Sequence, residues 1–313
     1  MKLLRERVMM QSKGLIFDIK RFATHDGSGI RTTVFLKGCP LRCKWCQNPE
    51  GLIKSKQVLY MESKCIHCLS CVHACKKKGI VFKNNKIYVN RNCNEHWDQV
   101  CDVCPTLALC MDSKEYDVDS CMHEIMKDQI FFDQNGGVTF SGGEPFLQTD
   151  FLIELLKKCK EKGIHTAIET SLYTDLENVK KAYPYLDQIY CDCKLYDSKL
   201  HETLTGVSNE RILKNIQFLL ESDKKEQVIV RTPLIPNMTA TKNNIRSISC
   251  FLFSVYKDVQ YELLNYNPLA QSKYAYLDME YYFEENPKLY TQEQMNFFYE
   301  IARDNGIQNL IME

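Results

Sequence analysis

The stretch Gly38-Cys39-Pro40-Leu41-Arg42-Cys43-Lys44-Trp45-Cys46 carries three cysteines at the spacing C-x3-C-x2-C, with an aromatic residue just before the last. Three thiolates satisfy three irons of a four-iron cluster and leave the fourth iron without a protein ligand. An open metal position is where chemistry happens, whereas a closed set of four ligands holds structure or carries electrons. Twelve of the sixteen cysteines lie between Cys39 and Cys121. In a small secreted protein that density would mean disulfides; in a reducing compartment it means metal or redox chemistry. The other four, Cys159, Cys191, Cys193 and Cys250, read as small buried hydrophobes.

A chain of 313 residues can build one large barrel or two ordinary domains. Acidic and basic residues balance at 40 each, so no net field selects nucleic acid or a membrane surface. The run Met1-Lys2-Leu3-Leu4-Arg5-Glu6-Arg7 lacks the apolar core of a signal peptide. No apolar segment is long enough to span a bilayer. The expectation is a cytoplasmic protein with neither nucleic acid nor membrane as partner.

β-rich runs at 14–19, 32–36, 138–140, 166–169, 188–194, 228–234 and 259–264 alternate with amphipathic helical stretches at 151–162, 211–220 and 245–255. Gly163 terminates the first of these helices, and Thr291 with Gln294 makes a capping box for a last one ending near Gly306. Such alternation predicts an α/β fold with a parallel sheet, open or closed into a barrel, with its active residues at strand C-terminal ends. The stretch from about 60 to 117 breaks the rhythm. It is crowded with Cys, Lys and Asn, too poor in apolar residues to fold on its own core, and is expected to depend on metal. The predicted division is a first barrel portion at 1–58, an insertion at 59–117 and the remaining barrel at 118–313.

The insertion contains Cys65-x2-Cys68-x2-Cys71-x3-Cys75, the run by which bacterial ferredoxins hold four-iron clusters, with Lys76 where proline is usual. A structural zinc site is the alternative, but a zinc ribbon separates its cysteine pairs by a longer loop. Cys93, Cys101 and Cys104 follow, the last leading into Pro105-Thr106-Leu107-Ala108-Leu109. In two-cluster ferredoxins the fourth cysteine of a run ligates the other cluster. By that rule one cluster uses Cys65, Cys68, Cys71 and Cys104. The other uses Cys75, Cys93 and Cys101 with either Cys110 or His96, a thiolate being the commoner ligand.

The run His25-Asp26-Gly27-Ser28-Gly29-Ile30-Arg31-Thr32-Thr33-Val34-Phe35-Leu36-Lys37-Gly38-Cys39, continued by Trp45-Cys46-Gln47-Asn48-Pro49-Glu50, resembles the opening signature of glycyl-radical-enzyme activating enzymes. These belong to the radical S-adenosylmethionine (SAM) superfamily. Ser28 stands where that family usually has proline. The resemblance extends over nearly the whole chain and includes the ferredoxin-like insertion that many members carry. Gly137-Val138-Thr139-Phe140-Ser141-Gly142-Gly143-Glu144-Pro145 resembles the family's G-G-E-P segment, where glycines allow close backbone approach and a carboxylate can bind the methionyl ammonium. Glu169 and Thr170 match the acidic and hydroxyl residues that lie near SAM and help hold a monovalent cation. Asp192 and Lys194 resemble the D-x-K pair, two residues apart on a strand and so on one face. Arg231 falls where relatives place an arginine near the SAM carboxylate, and a structural ion pair is its plain alternative. Asn267 occupies the place of a late-strand histidine and cannot carry its charge.

The resemblance implies a partial (β/α)6 TIM-type barrel with an inserted ferredoxin-like iron–sulfur domain. It implies a [4Fe-4S] cluster with an open iron on Cys39, Cys43 and Cys46, with Trp45 packed beside it, SAM bound there, and two further [4Fe-4S] clusters. The implied activity is reductive cleavage of SAM to a 5′-deoxyadenosyl radical that installs a glycyl radical on a partner enzyme. A flavodoxin- or ferredoxin-type donor and a monomeric state go with it. Two rivals share parts of the pattern. A radical SAM enzyme acting on a small molecule would keep the cluster and SAM motifs, whereas a polyferredoxin-type carrier would leave Gly142–Glu144 and Asp192/Lys194 without a purpose.

Overall fold

The computed structural model describes residues 12–93, 95–132 and 136–312. The amino-terminal run read for a signal peptide lies outside them. The described strands are β1 (Lys13–Ala23), β2 (Arg31–Leu36), β3 (Val58–Tyr60), β4 (Ile80–Lys83), β5 (Lys86–Val89), β6 (Leu109–Met111), β7 (Lys114–Asp117), β8 (Gly137–Gly142), β9 (His165–Thr170), β10 (Gln188–Asp192), β11 (Val228–Pro233), β12 (Gln260–Leu264) and β13 (Asn309–Ile311). Nine of them form one sheet in the order β13-β12-β11-β10-β9-β8-β2-β1-β7. From β2 through β8 to β13 every pairing is parallel. The α/β class and the parallel sheet expected from the alternating pattern are therefore present.

Two strands depart from the expected rhythm. β1 pairs antiparallel with β2, because the short link 24–30 cannot make the crossover that a parallel pair requires. β7 lies in the stretch expected to belong to the insertion, yet it pairs with β1 at the edge of the main sheet, Lys13 opposite Asp117. Between β2 and β7 in the chain, β3 pairs with β6 and β4 with β5, outside the main sheet.

Period-two alternation sorts the sheet's side chains. Val228 and Val230 of β11 join the main core, with Leu152, Leu155 and Leu156 of the helix Thr149–Glu161 and Ile245, Ile248 and Leu252 of Lys242–Val255. Each such fully buried aliphatic contributes roughly 1.5–3 kcal/mol by leaving water. Cys121, Cys159, Cys191 and Cys193 are part of the same core, as expected for the last three, whereas Cys250, also expected to be buried, is exposed on the solvent side of the helix Lys242–Val255. The opposite face of β9 to β12 carries Glu169, Tyr190, Arg231 and Glu262. The capping box at Thr291 is formed, with Gln294 N donating to Thr291 Oγ1 and Thr291 N to Gln294 Oε1. Among the described residues no helix is long and apolar enough to cross a membrane.

Candidate active site

The three-cysteine loop follows β2 and is held by backbone contacts from several elements. Gly38 N donates to Gly51 O at 2.8 Å, and Gly143 N to Leu36 O at 2.8 Å. Arg42 N and Lys44 N donate to Thr205 O and Leu204 O, carbonyls of the last turn of the helix Ser198–Thr205 that have no partner within it. The Tyr274 hydroxyl donates to Cys46 O at 3.0 Å. Gly142 has φ +119°, and a Cβ on Gly143 would collide with the carbonyl oxygens of Gly38 and Gly51. The glycine pair therefore lets strand β8 lie directly against the cysteine loop.

Cys39, Cys43 and Cys46 line one cavity of about 710 Å³ together with Ser141, Gly142, Gly143, Glu169, Thr170, Ser171, Asp192, Lys194 and Arg231. Residues from the C-terminal ends of β8, β9, β10 and β11 thus meet the loop. Burial pushes each of the three thiols up to about 12, and each feels the charge of another. Burial thus favours the neutral thiol over the thiolate at all three positions. Among the described residues, no three His, Cys, Asp or Glu converge on a point suited to a single metal ion.

The polar residues around the loop are linked. Arg231 donates from Nη1 to Glu169 at 2.7 Å and from Nε to Glu262 at 2.6 Å, while its guanidinium lies 3.8 Å from the Tyr190 ring centroid. Burial works against the Arg231 charge, but the two carboxylates outweigh it and raise its pKa. Glu169 also accepts from Ser141 Oγ at 2.6 Å, and burial still lifts its pKa. Lys194 Nζ contacts Asp192. Burial opposes the Lys194 charge, but Asp192, joined by Cys43 and Cys39 whenever they are thiolates, outweighs it and raises the pKa.

Glu144 does not line this cavity. It is buried and accepts from Thr170 Oγ1 at 2.6 Å, Ser171 Oγ at 2.5 Å, Ser171 N at 2.8 Å and Phe146 N at 3.2 Å. It clamps the end of β9 to the turn after β8. Trp45 packs among Leu195, Leu204, Ile235, Met238 and Tyr266 while touching the cavity. Asn267 also borders the cavity, but its side chain caps the turn Pro268–Ala270 by accepting from Leu269 N. Ser141, Tyr190, Glu262 and Tyr274 were not singled out from sequence. The available signal for Glu262 was a charge inside the apolar run Tyr261-Glu262-Leu263-Leu264.

In the insertion, Cys65, Cys68, Cys71 and Cys104 line one small cavity with Tyr60 and Leu109. The remaining cysteines form two groups. Cys101 and Cys110 border a cavity of about 650 Å³ shared with β1. Cys75 donates to Glu95 Oε2 at 3.2 Å, and Cys93 to Lys77 O at 3.4 Å, while Lys77 N donates to the same Glu95 oxygen. His96 is exposed at the start of the helix Trp97–Asp102.

Residues 87–243 match the profile described as the radical SAM superfamily. The chain is 37% identical over 309 residues to the indoleacetate decarboxylase activating enzyme of Tractidigestivibacter scatoligenes, covering 96% of this chain and 97% of that protein. It is 39% identical over 276 residues to the (2S)-3-sulfopropanediol dehydratase activating enzyme of Klebsiella oxytoca, covering 86% of each. A solved domain of the pyruvate-formate lyase-activating enzyme from Bacteroides vulgatus is 31% identical, with TM-score 0.46, over 57% of this chain and 99% of that one. A radical SAM enzyme uses a [4Fe-4S] cluster and SAM. The chain belongs to this superfamily and, within it, to the activating enzymes of glycyl radical enzymes.

Proposed function

We propose that Cys39, Cys43 and Cys46 carry the catalytic [4Fe-4S] cluster and that Gly142, Gly143, Glu169, Thr170, Asp192, Lys194 and Arg231 surround SAM. The observation that supports this most is the single cavity in which the three thiols meet these strand-end residues. When bound, cluster and SAM supply the 5′-deoxyadenosyl radical that takes a hydrogen atom from a glycine of the partner enzyme. The chain's own residues do the rest. Glu144 holds Thr170 and Ser171 in position, Arg231 is kept charged by Glu169 and Glu262, and Trp45 keeps solvent from the cysteine loop. Glu169 and Thr170 oxygens are the proposed neighbours of a monovalent cation.

The sheet is proposed to be a partial (β/α)6 barrel, since the ends of β8 through β12 border one cavity. The insertion is proposed to be ferredoxin-like, with one further cluster on Cys65, Cys68, Cys71 and Cys104. Their shared cavity supports that set. A third cluster on Cys75, Cys93 and Cys101 takes Cys110 in preference to His96, because Cys110 borders the same cavity as Cys101. These clusters relay electrons from a flavodoxin- or ferredoxin-type donor to a monomeric, cytoplasmic enzyme.

Anaerobic mixing of the holoenzyme with SAM, dithionite and candidate partners tests the reading. Decarboxylases and dehydratases are the first candidates, since those are named for its relatives. The correct partner shows a glycyl radical doublet by electron paramagnetic resonance. Cys43→Ala abolishes both the doublet and deoxyadenosine formation; deoxyadenosine made by that variant would remove the central assignment.

A further inference from the structure

We infer that the face of the insertion around Cys68 is the docking surface for an acidic one-electron donor protein, an inference that rests on reading Cys65, Cys68, Cys71 and Cys104 as cluster ligands. Three observations converge there. Cys68 is exposed, although it lines the same cavity as the part-buried or buried Cys65, Cys71 and Cys104. Ile66, on the wall of that cavity, is 65% exposed, and Leu107, whose N–H donates to Cys104 O, is 63% exposed. Between residues 58 and 111 there are seven Lys and Arg against four Asp and Glu, a surplus of three in a chain balanced at 40 each. Exposed lysines flank that cavity: Lys64 precedes Cys65, and Lys83 and Lys86, paired across β4 and β5, stand beside Phe82, which packs on the His67 ring at 5.8 Å, and Ile87 of the cavity wall.

An apolar centre within a charged rim is the anatomy of a transient protein interface. A cationic rim steers a negatively charged partner and makes association fall with salt. A cluster whose ligand reaches the surface offers a donor its shortest electron path. The step moves one electron: the donor is oxidised by one, the cluster is reduced by one, and no bond is made or broken. The balanced charge of the whole chain argues against a diffuse electrostatic attraction, so the local surplus is what would select an acidic partner.

The test uses the reconstituted holoenzyme and fully reduced flavodoxin as the probe. Binding is measured by calorimetry at low and high salt, and cluster reduction by stopped-flow absorbance. Leu107→Glu and the triple change Lys64→Glu/Lys83→Glu/Lys86→Glu alter exposed side chains. Each is expected to weaken flavodoxin binding and slow its electron transfer about tenfold, with reduction by dithionite unchanged. Wild-type affinity in both variants, or salt-independent binding, overturns the inference. So does a defect confined to activation of the glycyl radical partner under dithionite, which would make this the face for that enzyme. A Cys39→Ala/Cys43→Ala/Cys46→Ala protein separates the two layers. If it holds no iron and no cluster signal, the cluster reading itself fails and the inference falls with it. If it keeps the signal while the surface variants bind flavodoxin normally, the inference alone fails.

Discussion

Lys37 Nζ lies 2.5 Å from Asp112 Oδ2 and 2.5 Å from Glu50 O, with both side chains sealed from solvent. Asp112 Oδ1 accepts in addition from Gln57 N at 2.9 Å and Ser113 Oγ at 2.7 Å. Gln57 leads into β3 and Asp112 follows β6, so the ammonium joins both ends of the insertion to the chain two residues before Cys39. On its other side the insertion's Arg91 donates to Val58 O and to Tyr276 O, close to the Tyr274 that holds Cys46 O.

Breaking one partner of a buried ion pair strands the other, at a cost of about 3–5 kcal/mol, whereas replacing both with apolar groups is often close to neutral. Lys37→Met should therefore destabilise strongly, and Lys37→Met/Asp112→Leu should recover most of the loss. Denaturation midpoints of the four proteins in a double-mutant cycle decide it. Simple additivity of the two single changes would show that the pair is not coupled.

Gly143→Ala is expected to cost the enzyme its catalytic cluster. The new methyl group points at Gly38 O and Gly51 O, the backbone that carries Cys39 and closes the loop behind Cys46. A collision with backbone moves the loop, because main chain cannot rotate away as a side chain can. Iron content should drop to that of a protein lacking the three loop cysteines. SAM cleavage should vanish with it, while circular dichroism stays close to wild type.

The parts of this architecture that were legible from sequence are those with local signals. Strand periodicity located every member of the parallel sheet except the short β13, the C-x3-C-x2-C spacing marked the loop at Cys39, and the family resemblance marked Gly142, Asp192 and Lys194 near strand ends. The antiparallel start was not legible, because pairing direction depends on the length of a link rather than on residue type. The orientation of Glu144 was not legible either. Its partners Thr170 and Ser171 lie on the next strand, and only tertiary packing decides whether a motif carboxylate faces a ligand or its neighbours. Lys37 and Asp112 stand 75 residues apart, beyond the reach of any periodicity.

His165 provides a pH test that leaves the cysteines untouched. Its Nδ1 lies 3.4 Å from both Nη atoms of Arg31, which also donates to Thr139 Oγ1 at 2.6 Å and Val138 O at 2.7 Å. Burial first, and then the Arg31 charge, lower the His165 pKa from 6.5. The unfolded chain therefore takes up the proton before the folded one does, and stability falls as pH drops below 6.5. His165→Gln keeps an acceptor without a titrating nitrogen and should flatten that part of the stability–pH curve. An unchanged slope in the variant would assign the acid sensitivity to another group.

Asp192 and Lys194 make the sharpest test because they act with opposite signs. Lys194 is part-buried and close enough to Cys39 and Cys43 to stabilise their thiolates, while Asp192 destabilises that of Cys43. A cluster gains negative charge when it is reduced, so a nearby cation favours reduction and a nearby anion opposes it. Lys194→Met should lower the midpoint potential of the catalytic cluster, and Asp192→Asn should raise it. A unit charge several ångströms away at an effective dielectric near 20 shifts a one-electron potential by on the order of 100 mV. The titration is done without SAM, which separates this effect from SAM binding. Both variants should also bind SAM more weakly, since both side chains border its proposed cavity. Shifts of the same sign in the two variants would mean that the loop has moved, and the charge argument would then fail.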